Sequence, residues 1–491
     1  MFDIEIAGYL LNSNISKYTI EYLSNEYIKF DIDEYVKNLN INEGNDEQIS
    51  LFTEQKETVE IRPYIYSYAI NKLYYVLTEK LKKEHTEKLF NEIEMPLVEV
   101  LANMQYEGIY IEKEELIQFG NSLKENINKL TEEIYSLAGE TFNINSTKQL
   151  GEVLFEKLKL PIIKKTKTGY STDVDVLEKL KVAHPIIEKI LEYRQIVKLN
   201  STYVEGLIPY INENTKRIHS FFHQTVTATG RISSTDPNLQ NIPTRFELGK
   251  NLRKVFKPEN DNVFIDADYS QIELRVLAHI SKDKNMIEAF LNDEDIHAGA
   301  AAKVLNKNIE DVTKEERTHA KAINFGIVYG ISDFGLAEQL GISRKKAKEY
   351  IEQYLEKYSG VKKFMDDVVE EAKEKGFVET LYKRRRYIPE LKSNNYMVRQ
   401  FGSRVAMNTP IQGTAADIIK IAMINVYNRI KEEKLKAKLV LQVHDELLIE
   451  APKNEEEKIK NILINEMENV IKLKVPLKAD LSVGSNWLEA K

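Results

Sequence analysis

The chain has 491 residues, of which 42% are hydrophobic and 30% are charged, and it contains no cysteine. This composition predicts about two to four compact units with large apolar cores, excludes disulfides and thiolate metal sites, and fits a reducing cytoplasm. The formal net charge of −8 argues mildly against a nucleic-acid partner, although a local basic groove would not show in the total charge.

Residues 1 to 84 have a mixed pattern, in which we expect neither a signal peptide nor a membrane-spanning helix. Residues 6 to 11 form an apolar run. Residues 42 to 60 are polar and acidic, which favours a long loop or mobile segment. A helical pattern begins at Tyr64 and continues to Leu81.

Residues 113 to 138 are predicted to form an amphipathic helix, because apolar side chains recur there at spacings of three and four. Ala138-Gly139 supplies a stop, and we expect the helix to be one arm of a helical hairpin. Residues 164 to 170 form a short basic turn that contains Lys165 and Lys167. A solvated loop is the favoured interpretation of this turn, and contact with nucleic-acid phosphates is the alternative.

Two aspartates are predicted to lie on rigid strands. The apolar run at 263 to 265 predicts a strand that Asp268 closes, and two apolar runs between 439 and 450 predict a β-hairpin with Asp445 at its tip. Alone, each aspartate would be interpreted as a strand-end cap or a turn residue. Brought together, two carboxylates favour divalent ions such as Mg²⁺, and a pair of such ions supports phosphoryl transfer.

Residues 282 to 378 are mostly helical in pattern, and one predicted helix carries a distinctive face. Arg317, Lys321 and Phe325 are spaced by four residues, so two cations and an aromatic ring share one side. This order suits a nucleoside triphosphate, because cations stabilise phosphates and a ring packs under the sugar or base. For an isolated helix, a solvated basic stripe beside a core phenylalanine would be the favoured interpretation.

Six stretches, in order along the chain, resemble family A DNA polymerases. Those that resemble motifs A, B and C are residues 268–275, 317–330 and 443–446. The three further stretches are residues 229–243, 295–297 and 410–417. The resemblance is strong over residues 85 to 491 and weak over residues 1 to 84. It implies an α+β, mixed fold of the right-hand type, with an antiparallel palm sheet and helical fingers and thumb.

The resemblance also implies how the chain is divided. Residues 85–491 would form the polymerase domain, with its thumb, palm and fingers at about 109–205, 206–280 with 395–491, and 281–394. Residues 1–84 would be a partial, degenerate remnant of an α/β 3′→5′ exonuclease-like domain. The acidic motifs of such a nuclease are missing, and Asn71 is the only polar candidate where a Tyr-x-x-x-Asp motif is expected. Neither 3′→5′ nor 5′→3′ exonuclease activity is therefore expected.

Catalytic roles are implied by the same resemblance. Asp268 and Asp445 match the ligands of two Mg²⁺ ions, for which Mn²⁺ can substitute, and Glu446 matches an accessory carboxylate. Lys321 matches the residue that protonates or neutralises the leaving pyrophosphate. Glu273 matches the residue that rejects a ribose 2′-hydroxyl by clash and by loss of polar pairing. The other residues that match the deoxynucleoside triphosphate site are Gln271, His297, Arg317, Phe325 and Tyr329.

Contacts to DNA are implied for a second group of residues. The positions that match those around a primer–template are Arg231, Asn238, Gln240, Asn241, Arg404, Asn408, Gln412 and His444. Arg404, Asn408 and Gln412 are spaced by four residues, so one helix face would lie along the duplex. Donors in the minor groove test the shape of a base pair without reading its sequence. For each residue alone, a helix cap or a surface polar group is the alternative.

Two positions depart from the family pattern. Lys383 stands before three arginines where glycine is usual, and Ala300 stands where threonine is common. Neither departure touches the expected metal ligands, but Lys383 is expected to alter a loop on the template side.

The sequence therefore predicts a template-directed DNA polymerase that adds deoxynucleotides to a primer 3′-end by two-metal nucleotidyl transfer. Its partners would be primer–template DNA and deoxynucleoside triphosphates, with no membrane partner and with a role in DNA replication and repair. We expect a monomer in the bacterial cytoplasm, associated with the nucleoid. A nuclease that uses the same aspartates and a catalytically silent DNA-binding scaffold are the alternatives. The face formed by Arg317, Lys321 and Phe325 argues against both.

Overall fold

The computed structural model describes residues 1–39, 61–167, 169–243 and 246–491. The loop predicted at 42 to 60 lies outside these ranges. Every element described before Gly108 is helical, and the α-helices there are Ile4–Leu11, Ile20–Leu23, Ile32–Asn38, Arg62–Lys83, Glu87–Leu89 and Met95–Glu107. The helix predicted from Tyr64 to Leu81 is confirmed, and it buries Leu73 and Leu77 in a small core shared with the first helix.

The predicted amphipathic helix is confirmed as Lys113–Ala138, and Gly139 ends it in a left-handed conformation with φ of 71°. It packs against Ile186–Lys198, where Lys189 Nζ lies 2.6 Å from a carboxylate oxygen of Glu133. The other α-helices of this region are Thr147–Gly151 and Val174–Leu180. The basic turn forms a two-stranded hairpin of Lys165–Thr166 and Gly169–Tyr170.

A four-stranded antiparallel sheet lies in the second half of the chain. Its strands, in spatial order, are Lys438–Val443, Glu446–Pro452, Asn262–Tyr269 and Ala479–Gly484. The predicted β-hairpin is thus confirmed, and the strand predicted near 263 is a central strand of the same sheet. Its interior residues Phe264 and Ile265 are fully buried, because helices cover the sheet. The short paired strands elsewhere are Ile109–Tyr110 with Arg217–Ile218, Phe221–His223 with Ser233–Thr235, and Phe377–Glu379 with Arg385–Tyr387.

Helices fill most of the sequence between the sheet strands, as predicted. They are Ile272–Ser281, Lys284–Leu291, Ile296–Leu305, Lys314–Val328, Asp333–Leu340, Arg344–Lys357, Ser359–Lys375, Tyr396–Glu432 and Glu456–Glu468, and the short helix Glu247–Asn251 precedes the sheet. We call Lys314–Val328 the basic helix and Tyr396–Glu432 the long helix. The long helix has 37 residues and accommodates Pro410 in its interior. Among the described residues, no helix is both long and apolar enough to cross a membrane.

Candidate functional site

Asp268 and Asp445 meet at one end of the four-stranded sheet. The Asp268 strand continues to Tyr269, so the prediction that Asp268 closes it is wrong by one residue. Asp268 is the Cα partner of Glu446, and the backbone N–H of Tyr269 donates to the Asp445 carbonyl at 3.1 Å. Asp445 lies in the turn between two strands, as predicted, where His444 has a left-handed φ of 55°. Two adjacent strands therefore hold both aspartates on rigid supports.

The positive charge near the Asp268 and Asp445 carboxylates is too small to balance their negative charge. Burial and the neighbouring charge of Asp445 raise the pKa of Asp268 to about 6. Burial also raises the pKa of Asp445. Asp268 Oδ1 is buried without a hydrogen-bond partner within the described parts of the chain, and the ammonium of Lys491 lies 3.6 Å from Oδ2. Such a site stabilises an added cation, because a positive ion relieves the repulsion between the carboxylates.

The donor set fits a hard divalent ion. Carboxylate oxygens are the ligands that Mg²⁺ prefers, and an orphaned, buried carboxylate oxygen is available on Asp268. No group of three or more His, Asp or Glu side chains in a metal-binding arrangement occurs in the described ranges. Mg²⁺ needs fewer protein ligands, since it is usually held by one or two carboxylates together with substrate phosphates and water.

Glu446 pairs with Asp268 on the neighbouring strand, and its side chain is held by other partners. Its side chain is 1% exposed. Its Oε1 accepts a hydrogen bond from Trp487 Nε1 at 2.9 Å, and its Oε2 accepts one from Lys491 Nζ. Arg253 lies 3.8 Å from the same carboxylate and stacks on the Trp487 ring at 4.0 Å. The structure thus places Glu446 at the site as a buried, fixed charge.

Four residues of this cluster were missed by the sequence reasoning. Asp266 is the clearest, because burial and Glu446 raise its pKa to about 9. It lies two residues before Asp268 on one strand, so strand alternation could have placed both on the same face. The other three are Arg253, Trp487 and Lys491, which reach the site only through tertiary packing and leave no local pattern.

The basic helix begins with a capping box, in which Thr313 and Glu316 bond reciprocally to each other's backbone N–H. Arg317 and Lys321 are exposed on it and Phe325 is half-buried, so the predicted face is present. Arg317 Nε donates to Asp295 Oδ2 at 2.7 Å. One cation of this face is therefore held by an acid, whereas Lys321 is not engaged in a described ion pair.

His297 is buried next to the basic helix, with 2% of its surface exposed. Its Nδ1 is 2.9 Å from Asn324 Nδ2, and its ring centroid is 5.8 Å from that of Phe325. Burial lowers the pKa of His297 to about 4, so the ring is neutral near pH 7. Nε2 is buried without a partner among the described residues. The side chain is thus a neutral polar group rather than a cation.

Glu273 is hydrogen-bonded to Tyr329, the residue that caps the end of the basic helix. Arg231 Nη2 donates to Glu273 Oε1 at 2.5 Å, and the Tyr329 hydroxyl donates to Glu273 Oε2 at 3.1 Å. Gln271, at a left-handed φ of 54°, precedes the helix that carries Glu273, and its Oε1 is buried without a partner in the described residues. The structure therefore brings three predicted residues into one hydrogen-bonded group.

A second chain of polar contacts leads from the hairpin to the residues expected at DNA. Gln240 Nε2 donates to the Gln442 carbonyl and to Gln442 Oε1, both at 3.1 Å, and Gln442 Nε2 donates to the His444 carbonyl at 2.6 Å. Gln442 was not predicted. The Asn238 side chain accepts a hydrogen bond from the Gln240 N–H at 3.0 Å and so caps a turn. This is the capping role that was the alternative to a DNA contact for that residue. The Asn241 carbonyl accepts from the Tyr203 hydroxyl.

The long helix carries Arg404, Asn408 and Gln412 half-buried on one face, and Asn408 Nδ2 donates to the Val328 carbonyl at 3.3 Å. This bond ties the face to the last turn of the basic helix. Lys165 packs over the Tyr170 ring of its own hairpin at 5.7 Å, and Lys167 is exposed. In the part of the chain that the structure describes, no contact links these two lysines to the aspartate pair.

Comparison with known proteins identifies the family and the fold. Residues 113–489 match the model of DNA polymerase family A. DNA polymerase I of Caldicellulosiruptor bescii is 49% identical over 489 residues, which cover 100% of this chain and 55% of that protein. DNA polymerase I of Bacillus caldotenax is 53% identical over 415 residues, 84% of this chain and 47% of that protein. The chain spans about half the length of these curated relatives.

A solved structure described as the POL domain of Pol1 from M. smegmatis in complex with DNA primer-template and dNTP has a similar fold. The TM-score is 0.90 at 38% sequence identity, and the match covers 99% of this chain and 82% of that chain. The predicted mixed fold class is thereby confirmed. The boundaries of the thumb, palm, fingers and exonuclease-like remnant stay predictions, as do the roles of individual residues.

Proposed function

Because the chain belongs to DNA polymerase family A, we propose that it is a DNA-directed DNA polymerase that extends a primer 3′-end and releases pyrophosphate. The observation that carries this proposal is the pair Asp268 and Asp445, one on a central strand and one in the adjoining turn, with too little counter-charge. Glu273, which is hydrogen-bonded to Tyr329 at the end of the basic helix, further supports the proposal.

Asp268 and Asp445 would hold two Mg²⁺ ions, and Mn²⁺ would substitute for them. When bound, these ions would supply the Lewis acidity that activates a 3′-hydroxyl and stabilises a leaving oxygen. The aspartates themselves would orient the reacting groups, since strand pairing holds the Asp268 backbone and the Tyr269 N–H holds the Asp445 carbonyl. Glu446 would act as an accessory carboxylate from its buried position on the strand next to Asp268.

The basic helix would bind the triphosphate. Arg317 and Lys321 are exposed one turn apart, so both cations reach the same ligand, and Lys321 would donate a proton or positive charge to pyrophosphate. His297, being neutral, would contribute a hydrogen bond. Phe325 would pack against the sugar, and Gln271 would add a polar contact near the nucleotide.

Selection for deoxyribose would depend on Glu273. Its carboxylate is fixed by Arg231 and Tyr329, so it cannot move aside at low cost for a 2′-hydroxyl. An added 2′-hydroxyl would clash with the fixed carboxylate and would lack a good hydrogen-bond partner. Both effects penalise ribonucleotides.

Primer–template DNA would contact the face of Arg404, Asn408 and Gln412 and the chain of Gln240, Gln442 and His444. The DNA contacts further include Arg231, Asn238, Asn241, Lys165 and Lys167. We assign the four-stranded sheet and long helix to the palm, the helices within 281–394 to the fingers, and the residues 109–205 to the thumb. Residues 1–84 would be a degenerate exonuclease-like remnant, and we propose that the chain degrades DNA in neither direction. It would act as a monomer in the bacterial cytoplasm, at the nucleoid, in replication and repair.

The test is extension of a labelled primer–template with Mg²⁺ and the four deoxynucleotides, with a parallel reaction that lacks nucleotides. Template-directed extension in the first reaction and an intact primer in the second support the proposal. Shortening of the primer in the second reaction would contradict the absence of exonuclease activity. An unchanged primer in both reactions would contradict the polymerase assignment and favour a silent DNA-binding scaffold.

A further inference from the structure

A fully buried group of four charged residues lies apart from the aspartate pair. Arg384 donates through Nε and Nη2 to Asp417 Oδ1, at 2.9 and 2.7 Å, and through Nη2 to Glu94. Lys420 Nζ donates to Glu94 at 2.7 Å. All four side chains are at most 2% exposed, and the two positive and two negative charges balance. We call these residues the buried ion network.

The Arg384 guanidinium also supports a chain turn. A Cβ built on Gly230 would lie 2.6 Å from Arg384 Nε and 2.9 Å from Cζ, so the bare glycine backbone rests against this side chain. Gly230 has a φ of 88°, which an L side chain rarely adopts. The turn is fixed from a second side, because the Thr227 hydroxyl donates to the Arg231 carbonyl at 2.6 Å and Tyr9 donates to the Thr227 carbonyl at 2.8 Å.

The residue that follows Gly230 is Arg231, whose guanidinium holds Glu273. The position of Arg231 thus depends on a turn that rests on Arg384. The loop that supplies Arg384 is itself tight. The Thr380 N–H donates to the Arg384 carbonyl at 3.0 Å, and Lys383 adopts a left-handed φ of 69° there, with its Nζ 3.2 Å from Glu379. Lys383 therefore keeps the backbone conformation that favours glycine, at the position where glycine is usual.

We propose that Arg384 is a positioning residue: its buried guanidinium fixes the Gly230 turn, so that Arg231 holds Glu273 where it screens the incoming sugar. The inference rests on the proposed polymerase function. A lysine at position 384 would keep the charge balance but lose the planar surface under Gly230 and the paired donation to Asp417. Discrimination against ribonucleotides should therefore fall while the fold is kept.

The experiment compares kcat/KM for a deoxyribonucleotide and the matching ribonucleotide in the wild-type chain and in R384K. We expect the ratio of deoxyribonucleotide to ribonucleotide kcat/KM to fall about fivefold, which corresponds in free energy to the loss of one hydrogen bond. The matched control is K420M, which alters the same buried ion network through Glu94 but leaves the contact between Arg384 and Gly230 intact. It should lower the melting temperature without changing the ratio. D417N, which keeps the side-chain shape while weakening the hold on Arg384, should lower the ratio less than R384K does.

An unchanged ratio in R384K, or an equal fall in K420M, would overturn the proposal, because the network would then act on stability alone. If R384K does not fold, the ratio measured for D417N tests the proposal: a lower ratio supports it, and an unchanged ratio overturns it. A crystal structure of the variant without DNA gives a readout independent of activity. Displacement of the Arg231 side chain from Glu273 would support the proposal, and an unmoved pair would overturn it. If the wild-type chain does not extend a primer, the proposed function fails, whereas this structural readout still decides the role of Arg384.

Discussion

The buried ion network and the aspartate pair both bring carboxylates close together, but they differ in counter-charge. In the network, Glu94 and Asp417 are matched by Arg384 and Lys420, and each carboxylate accepts hydrogen bonds from at least one of these cations. At the sheet end, Asp268 retains a buried oxygen without a partner among the described residues. Both sites are built by long-range packing, so burial alone does not separate them.

The pKa values of Glu94 and Asp268 follow this difference, whereas burial raises the pKa of Asp417 despite its bonds to Arg384. Burial would raise the pKa of Glu94, but Lys420 and Arg384 outweigh it and hold the value at about 2. Burial and the charge of Asp445 together raise the pKa of Asp268 to about 6, and Lys491 offsets them only in part. We expect the balanced site to contribute to the stability of the fold and the unbalanced site to favour an added cation. An unmatched carboxylate thus indicates function better than a cluster of acids does.

The largest expected effect comes from removing a member of the unbalanced pair. Asp445→Ala should lower primer extension by about a thousandfold or more, because the proposed metal ions would lose a ligand and would no longer stabilise the charge of the transition state. Primer–template binding, measured by fluorescence anisotropy, should be largely retained. Loss of binding together with activity would instead make Asp445 a structural residue.

Breaking the balanced network should act on stability instead. Glu94→Ala leaves Arg384 and Lys420 with one carboxylate in a buried site, and we expect the free energy of unfolding to fall by about 3–5 kcal/mol. Urea denaturation measures this change. Surface Glu288→Ala is the control and should have little effect. A change below about 1 kcal/mol for Glu94→Ala would mean that the network does not stabilise the fold.

Selection against ribonucleotides should change more modestly when Glu273 is substituted. Glu273→Ala removes the carboxylate that Arg231 and Tyr329 fix, and ribonucleotide incorporation relative to deoxyribonucleotide incorporation should rise by about tenfold. Single-nucleotide insertion kinetics give the ratio. Tyr329→Phe removes only one hydrogen bond to Glu273 and should shift the ratio less. Unchanged selectivity in the alanine variant would remove Glu273 from the sugar site.

The smallest expected effect is a difference between the two sites in how stability depends on pH, measured in the absence of metal ions. Asp268 has a raised pKa, so its ionisation destabilises the fold as pH rises through about 6. Asp268→Asn should therefore stabilise the protein at pH 8 by about 1 kcal/mol, a value reduced for solvent screening because the side chain is 40% exposed. The gain should vanish below about pH 4.

Glu94→Gln should behave in the opposite way. Its pKa is held low, so ionised Glu94 stabilises the fold above its unfolded pKa, and this contribution is lost as pH falls toward about 2. The cost of the substitution should thus be full at neutral pH and should shrink in acid. Melting temperatures across pH test both variants, and parallel curves would contradict the distinction between the sites.

Local patterns predicted much of this architecture. Residue spacing identified the Lys113–Ala138 helix and its stop at Gly139, the hairpin that carries Asp445, and the face of Arg317 and Lys321. The Asp268 strand was predicted one residue short, because its last pairing is with Ala479, far along the chain. Local periodicity cannot reveal such a pairing.

The parts that sequence reasoning missed depend on long-range contacts. Arg384 and Glu94 are separated by 290 residues, and Trp487 meets Glu446 across 41 residues. His297 was predicted as a phosphate contact from its motif, but its burial and neutral state follow from packing beside Asn324 and Phe325. Spacing identifies which residues share a face, whereas counter-charge becomes visible only in the folded chain.

The central claim is that the missing counter-charge at Asp268 and Asp445 is a divalent metal ion. The most direct measurement is titration of the chain with Mn²⁺, followed by the electron paramagnetic resonance signal of the free ion, with and without primer–template and a deoxynucleotide. We predict that the wild-type chain binds Mn²⁺ and does so more tightly with substrates present, and that the D268N/D445N double variant loses this binding. Equal Mn²⁺ binding by the double variant would contradict the account.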